Sequence, residues 1–211
     1  SLPLPVVSPV RGGHAVKEYL AANKILWVVP GTAALNTVDD RGKDGMPSRY
    51  RFCSYPLFQD EASIVTKYAV EKLGYKKIGI VYQNDVFGKG GLTGLRQRLA
   101  TYKMKPVEEA AVEPTEKDLT SQMLRMKNSG AECVLMWVSP TLAVITLKTS
   151  QTIGYKPQWI AFDGLSDYQL MHKITGGLFE GVITAAFVPP PDSTDPLVSK
   201  YREAAKKYAP E

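Results

Sequence analysis

The sequence is poor in the residues that build disulfide frameworks and metal centres. It contains two cysteines and two histidines among 211 residues, so we expect neither a disulfide framework nor a structural zinc site. Cys53 and Cys133 each lie in an apolar run, which predicts buried free thiols. His14 and His172 are interpreted as partly exposed helix residues rather than catalytic bases. No metal and no cofactor is therefore expected.

Long apolar runs and concentrated charge are also lacking. No apolar run approaches the ~18 residues of a membrane-spanning helix, and no signal peptide is recognisable in the first residues. The formal net charge is +5, and the basic residues are scattered along the chain. A nucleic-acid partner is not expected, because such proteins concentrate basic residues on one face. The chain opens at Ser1 without an initiator methionine, so we expect a mature, trimmed or partial chain.

The motifs of the common α/β enzymes are missing as well. The glycine-rich run 88–94 is separated from the preceding apolar strand by residues 83–87, and Thr93 stands where the dinucleotide fingerprint needs glycine. There is no phosphate-binding Gly-Lys-Ser/Thr and no Gly-x-Ser-x-Gly nucleophile elbow. No carboxylate pair stands out for glycoside chemistry. The sequence thus predicts a protein that is not an enzyme.

What the sequence does contain is an alternation of short apolar runs and helix-like periodicity. The apolar runs lie at residues 25–29, 77–82, 133–138, 158–162 and 180–187. Apolar residues at helical spacing lie between and after them, at residues 62–73, 92–102, 119–126 and 197–208. Continuous apolar runs are typical of parallel strands that are buried on both faces. The alternation predicts an α/β fold with right-handed crossovers.

In open parallel sheets, ligands bind outside the carboxyl ends of the strands. The residues that follow the apolar runs are 31–33, 84–87, Ser139 and 163–164. They offer backbone N–H groups, hydroxyls, one aromatic face and one carboxylate, a set that suits a small molecule. Plainer interpretations stay open, because Asp163 can form a turn, Ser139 can cap a helix, and Phe87 can be a core aromatic.

A family resemblance narrows these possibilities. Residues 76–90 combine a Lys-Lys pair, an apolar strand, Asp85 and the pair Phe87-Gly88 before an amphipathic helix. This segment resembles the leucine/isoleucine/valine-binding type of solute-binding protein, which serves ABC importers. Segments 50–68, 153–164 and 179–201 agree with that family in order and spacing.

The resemblance implies a Rossmann-like, three-layer α/β/α fold of the type I periplasmic binding proteins, with two lobes. It implies that residues 1–56 form part of a truncated first lobe and residues 57–162 form the second lobe. Residues 163–211 would cross back to the first lobe as a strand and a helix, so the strand near residue 181 would belong to the first lobe.

The family's binding positions fall on seven residues of this sequence: Gly31, Thr32, Ala33, Phe87, Trp137, Ser139 and Asp163. The first three would hold a ligand carboxylate, and Asp163 would hold an ammonium group. Phe87 and Trp137 would cover an apolar side chain, and Ser139 belongs to the second-lobe loop. The implied ligand is an α-amino acid with an apolar or aromatic side chain, and the alternative is an aromatic or aliphatic acid that lacks the amine.

The resemblance also implies partners and a location. The protein would work in the periplasm or anchored outside the membrane, and its closed form would be recognised by a membrane ABC permease. A truncated first lobe would expose a strand edge near Ile25 or Val182, so self-association of the chain is expected. The rival interpretation is the ligand-sensing core of a transcription regulator or receptor that has the same fold.

Overall fold

The computed structural model of the chain describes residues 19–20, 22–28, 51–52, 56–190 and 192–209. Gly31, Thr32, Ala33, His14 and Cys53 lie outside these described residues. The strands are β1 Trp27–Val28, β2 Arg51–Phe52, β3 Ile78–Gln83, β4 Glu109–Val112, β5 Cys133–Trp137, β6 Gln158–Ala161 and β7 Ile183–Thr184. The helices are α1 Phe58–Glu71, α2 Val86–Thr101, α3 Thr120–Asn128, α4 Pro140–Thr152, α5 Tyr168–Thr175 and α6 Pro196–Tyr208, with one 3₁₀ turn at Asp163–Leu165.

A five-stranded parallel sheet organises most of the described chain. Its strand order is β4-β3-β5-β6-β7, and every neighbouring pair is parallel. Strands β1 and β2 form a separate parallel pair. The structure confirms the predicted α/β class with a parallel sheet. None of the helices in the described part of the chain is long and apolar enough to cross a membrane.

Helices cover both faces of the five-stranded sheet. On one face, α1 and α2 contribute residues such as Val65 and Leu95 to a buried cluster that includes Ile80 and Leu135. On the other face, α3, α4 and α5 pack their apolar residues against alternate strand residues, including Val81, Val134 and Met136. Every residue of β5 is buried, as the continuous apolar run predicts. The three-layer arrangement predicted from the resemblance is therefore present in this part of the chain.

The position of β7 differs from our expectation. We expected the strand near residue 181 in the first lobe, but Ile183 pairs with Ile160 and Thr184 pairs with Ala161 of β6. The Ala185 N–H also donates to the Ala161 carbonyl at 3.1 Å. Pairing with β6 satisfies backbone groups that an open edge would leave unpaired, and it packs Ile183 against the cluster under α1 and α2. The sheet thus continues past residue 163, where we expected the chain to leave it.

The only cysteine and histidine within the described residues behave as the sequence predicts. Cys133 is a fully buried free thiol on β5, and burial raises its pKa to about 12. His172 lies on α5 with its side chain 56% exposed, and its Nδ1 is 3.8 Å from a Glu180 carboxylate oxygen. Cys133 is thus enclosed in the sheet, and His172 lies at the surface of α5.

Candidate functional site

The candidate site lies at the edge of the sheet where the parallel strands end. Strands β3, β5 and β6 are adjacent in the sheet, so the residues that follow them converge on one edge. Asp85, Ser139 and Asp163 occupy these positions, and all three are partly exposed. This is the edge at which open parallel sheets hold their ligands.

A chain of aromatic rings lies at this edge. Phe87 packs edge-on against Phe58 with ring centroids 5.0 Å apart, and it lies 4.7 Å from Phe162. Phe162 is in turn 5.6 Å from Trp137. Phe87 is 8% exposed and Trp137 is fully buried, whereas Phe58 and Phe162 are partly exposed. The open aromatic surface is therefore supplied mainly by Phe58 and Phe162, with Phe87 and Trp137 supporting them.

Trp137 is held in place by the close approach of α2. A Cβ atom at Gly91 would overlap the indole ring, so only glycine allows the helix to lie this near β5. The indole Nε1 is buried and finds no hydrogen-bond acceptor among the described residues. Trp137 thus acts as a fixed support beneath Phe162.

The most unusual electrostatic feature is a pair of carboxyl groups, Glu61 on α1 and Asp163 after β6. Glu61 Oε1 accepts a hydrogen bond from the Asp163 backbone N–H at 2.6 Å. Glu61 is only 5% exposed, and its Oε2 is buried with no donor among the described residues. Burial, followed by the negative charge of Asp163 and a hydrogen bond between the two side chains, raises the pKa of Glu61 to about 8.

These contacts favour the neutral form of Glu61 at neutral pH. A carboxyl group with a pKa near 8 is mostly protonated at pH 7, and a protonated Glu61 can donate to the neighbouring Asp163 side chain. The Asp163 N–H favours the charged form of Glu61, but burial and the neighbouring charge outweigh it. Of the two residues, Asp163 is partly exposed and Glu61 is buried, so Asp163 is the one that a ligand can reach.

Asp85 and Ser139 are the two remaining polar residues at this edge, and they differ in whether their side chains already form hydrogen bonds. Asp85 caps α2, since its Oδ1 accepts from the Gly88 N–H at 3.0 Å and its Oδ2 accepts from Gln83 Nε2 at 2.5 Å. A Cβ at Gly88 would overlap the Gln83 carbonyl, which explains a glycine at this position of the glycine-rich run. Ser139 lies at the N-cap of α4 but makes no side-chain capping bond. Its hydroxyl is therefore not committed to the helix.

The structure brings four of the predicted site residues to one edge: Phe87, Trp137, Ser139 and Asp163. Their roles as ligand contacts stay predictions. Sequence reasoning missed Glu61, Phe58 and Phe162. A signal for Glu61 was present, because it lies four residues before Val65 and eight before Ala69, on the helix face that the apolar spacing assigns to the core. Within the described residues, no group of three or more potential metal ligands is arranged around a common point.

Comparison with known proteins agrees with this architecture. A leucine/isoleucine/valine-binding protein of Rhizobium johnstonii, BraC3, is 30% identical over 131 residues, which is 61% of this chain and 34% of that protein. A fatty acid ABC transporter substrate-binding protein from Thermomonospora curvata superposes with a TM-score of 0.76 at 21% identity, covering 93% of this chain and 49% of that one. The leucine-binding protein LivK of Thermotoga maritima superposes with a TM-score of 0.82 at 13% identity, covering 100% of this chain and 58% of that one.

These similarities differ in what they establish. At such low identity the two superpositions show the fold alone. The chain also spans less than two thirds of the length of each of these relatives. The family assignment has a broader basis, because the sequence model of the periplasmic binding proteins matches residues 7–211. This match covers nearly the whole sequence, and the parallel α/β fold agrees with it, as do the polar and aromatic residues at the carboxyl edge of the sheet. The chain therefore belongs to the periplasmic binding protein family.

Proposed function

We propose that this chain belongs to the extracytoplasmic solute-binding component of an ABC importer and binds a small apolar amino acid without chemically changing it. The observation that carries the proposal is the partly exposed carboxyl group of Asp163, whose backbone N–H donates to buried Glu61, beside the partly exposed rings of Phe58 and Phe162. A carboxylate next to an apolar wall complements an ammonium group next to an apolar side chain. The names of relatives that bind leucine, isoleucine and valine support this ligand class.

The ligand's ammonium group would meet Asp163, because a partly buried carboxylate is stabilised by a charge-assisted hydrogen bond from a cation. The ligand carboxylate would be held by Gly31, Thr32 and Ala33, as the family resemblance implies. The apolar side chain would lie against Phe162 and the rings that support it. A hinge motion would close the ligand between two lobes, and a membrane permease would recognise the closed form.

An aliphatic carboxylic acid without an amine is the second candidate. The structural similarity to a fatty-acid-binding protein favours it, and the apolar rings suit an alkyl chain. The negative charge at Asp163 works against it, since like charges at close range repel in a site of low dielectric constant. The amino acid is therefore preferred.

The test compares two ligands that differ only at the ammonium group. Binding of L-leucine and of 4-methylpentanoate to the full-length protein is measured by calorimetry, for the parent and for Asp163→Asn. We expect the substitution to weaken leucine binding by about 2–5 kcal/mol, as truncating one member of a buried charge pair does. Asp60→Asn, at an exposed position of α1, is the matched control and should bind leucine like the parent.

Two results would contradict the proposed role of Asp163. One is unchanged leucine affinity in Asp163→Asn. The other is tighter binding of 4-methylpentanoate than of leucine by the parent protein, which would assign the site to carboxylic acids instead.

A further inference from the structure

We propose that a ligand ammonium group at Asp163 displaces the proton that Glu61 shares with that carboxylate, so that ligand binding releases one proton to solvent. The inference rests on the proposed function for the ligand's cationic group. It goes further by assigning Glu61, a residue outside the predicted ligand contacts, as a positioning residue that links binding to pH.

One backbone hydrogen bond ties the buried carboxyl group of Glu61 to Asp163, and its other oxygen has no partner in the described part of the chain. Its Oε1 accepts from the Asp163 backbone N–H at 2.6 Å, which fixes the carboxyl group against the residue that ends β6. Its Oε2 is buried and finds no N–H or O–H donor among the described residues. An unpartnered buried oxygen is costly, and protonation removes that cost by turning the group into a donor toward the Asp163 carboxylate.

The other ionisable groups on the surrounding elements are exposed or engaged elsewhere, except Cys133, which is a buried free thiol. They are Asp60, Lys67, Tyr68 and Glu71 on α1, Lys72 directly after it, Tyr82 on β3, Asp85, Lys89, Arg96 and Arg98 on or next to α2, Cys133 on β5, and Asp167 before α5. Arg98 donates to Ser63 Oγ at 3.0 Å, and Arg96 is paired with Glu109. Burial is the largest cause of the raised pKa of Glu61, and the charge of Asp163 and a side-chain hydrogen bond with it are the next causes. Neutralising Asp163 acts on these two causes, which are the ones that a bound ammonium group can change.

The exchange balances in charge and protons. Before binding, the pair holds one proton and one negative charge, and the ligand carries its ammonium group. After binding, the ammonium donates to the Asp163 carboxylate and takes the place of the Glu61 proton. Glu61 is left as a carboxylate that keeps the Asp163 N–H as a donor, the cost of its buried charge is offset by the nearby ammonium group, and the proton leaves to solvent. The two carboxylates and the one ammonium then carry a net charge of −1, and the released proton accounts for the difference.

The sign of the pH dependence follows from this balance. Because binding releases a proton, raising the pH favours the complex. Leucine affinity should rise by up to about tenfold per pH unit from pH 6 and level off above pH 8, where Glu61 of the free protein has already lost its proton. Measurements end at pH 8.5, so that the ammonium group of leucine stays charged.

The experiment counts protons directly. Calorimetric titrations of the full-length protein with L-leucine at pH 7 are run in phosphate and in Tris, whose ionisation enthalpies differ. The difference in heat gives the number of protons released, and we expect close to one for each leucine bound. Glu61→Gln keeps an acceptor and a donor at this position but cannot titrate, so it should release none and bind with an affinity that is flat between pH 6 and 8. Asp60→Asn is the control and should release as many protons as the parent.

The outcomes separate this inference from the proposed function. Tight leucine binding by the parent with no proton release overturns the inference and leaves the binding function intact. Equal release on binding 4-methylpentanoate, or release that persists in Glu61→Gln, also overturns it, because the proton would not come from an exchange with the ammonium. If leucine and other apolar amino acids do not bind the parent at all, both proposals fail. The proton count of the parent decides the matter even if Glu61→Gln does not fold.

Discussion

Substituting Glu61 by glutamine should change how the stability of the protein depends on pH. In the folded chain the pKa of Glu61 is raised from 4.5 to about 8, whereas the unfolded chain exposes it to water. Between these two values the folded state binds more protons than the unfolded state does. Stability therefore falls as the pH rises through this range, with a limiting slope of about 1.4 kcal/mol per pH unit.

The size of the effect follows from the two pKa values. Between pH 5 and pH 9 the parent should lose roughly 4 kcal/mol of its free energy of unfolding through this group. Glu61→Gln has no carboxyl group to titrate at this position. Over the same pH range its free energy of unfolding should therefore fall by roughly 4 kcal/mol less than that of the parent. Near pH 5 the two proteins should be close in stability, because the protonated carboxyl group and the amide have similar shape and hydrogen-bonding capacity.

The assay is urea unfolding at fixed temperature, with the free energy of unfolding extrapolated to water at several pH values from 5 to 9. Glu203→Gln, on the exposed face of α6, is a matched control that should follow the parent at every pH. Parallel curves for the parent and Glu61→Gln would refute the assignment of a protonated Glu61 in the folded protein.

The remaining predictions concern packing. Gly91→Ala should destabilise the protein by about 1–3 kcal/mol, because the added methyl group overlaps the Trp137 ring; a stability equal to the parent in urea unfolding would show that α2 can move away from β5. Leu95→Ala removes a fully buried side chain and should cost about 2–5 kcal/mol. Leu197→Ser, at a side chain 75% exposed on α6, should change stability by less than about 0.5 kcal/mol, and a larger loss would show that this face of α6 is covered.

The sequence predicted the strands and helices in which burial follows a regular pattern along the whole element. β5 is apolar at every position, and it is buried at every position in the sheet. β4 escaped prediction because it begins with Glu109 and alternates partly exposed and buried residues at the sheet edge. Its position depends on pairing with β3, which no local pattern records.

In the candidate site, too, the sequence predicted the residues that follow a local pattern and missed those that depend on contacts between distant parts of the chain. Asp163 could be predicted because a carboxylate that follows an apolar strand is a local pattern. Its contact with Glu61 joins residues 102 positions apart, and α1 must first pack on the sheet before the two carboxyl groups meet. The placement of β7 was missed for a similar reason, since it depends on pairing with β6, which no local pattern records.

The most direct test of the binding account is a crystal structure of the full-length protein with L-leucine. We expect the ammonium nitrogen to lie within hydrogen-bond distance, about 3 Å, of an Asp163 carboxylate oxygen, with the isobutyl group against Phe162. Leucine bound with its ammonium group away from Asp163, or no leucine at the carboxyl edge of the sheet under saturating conditions, would contradict it.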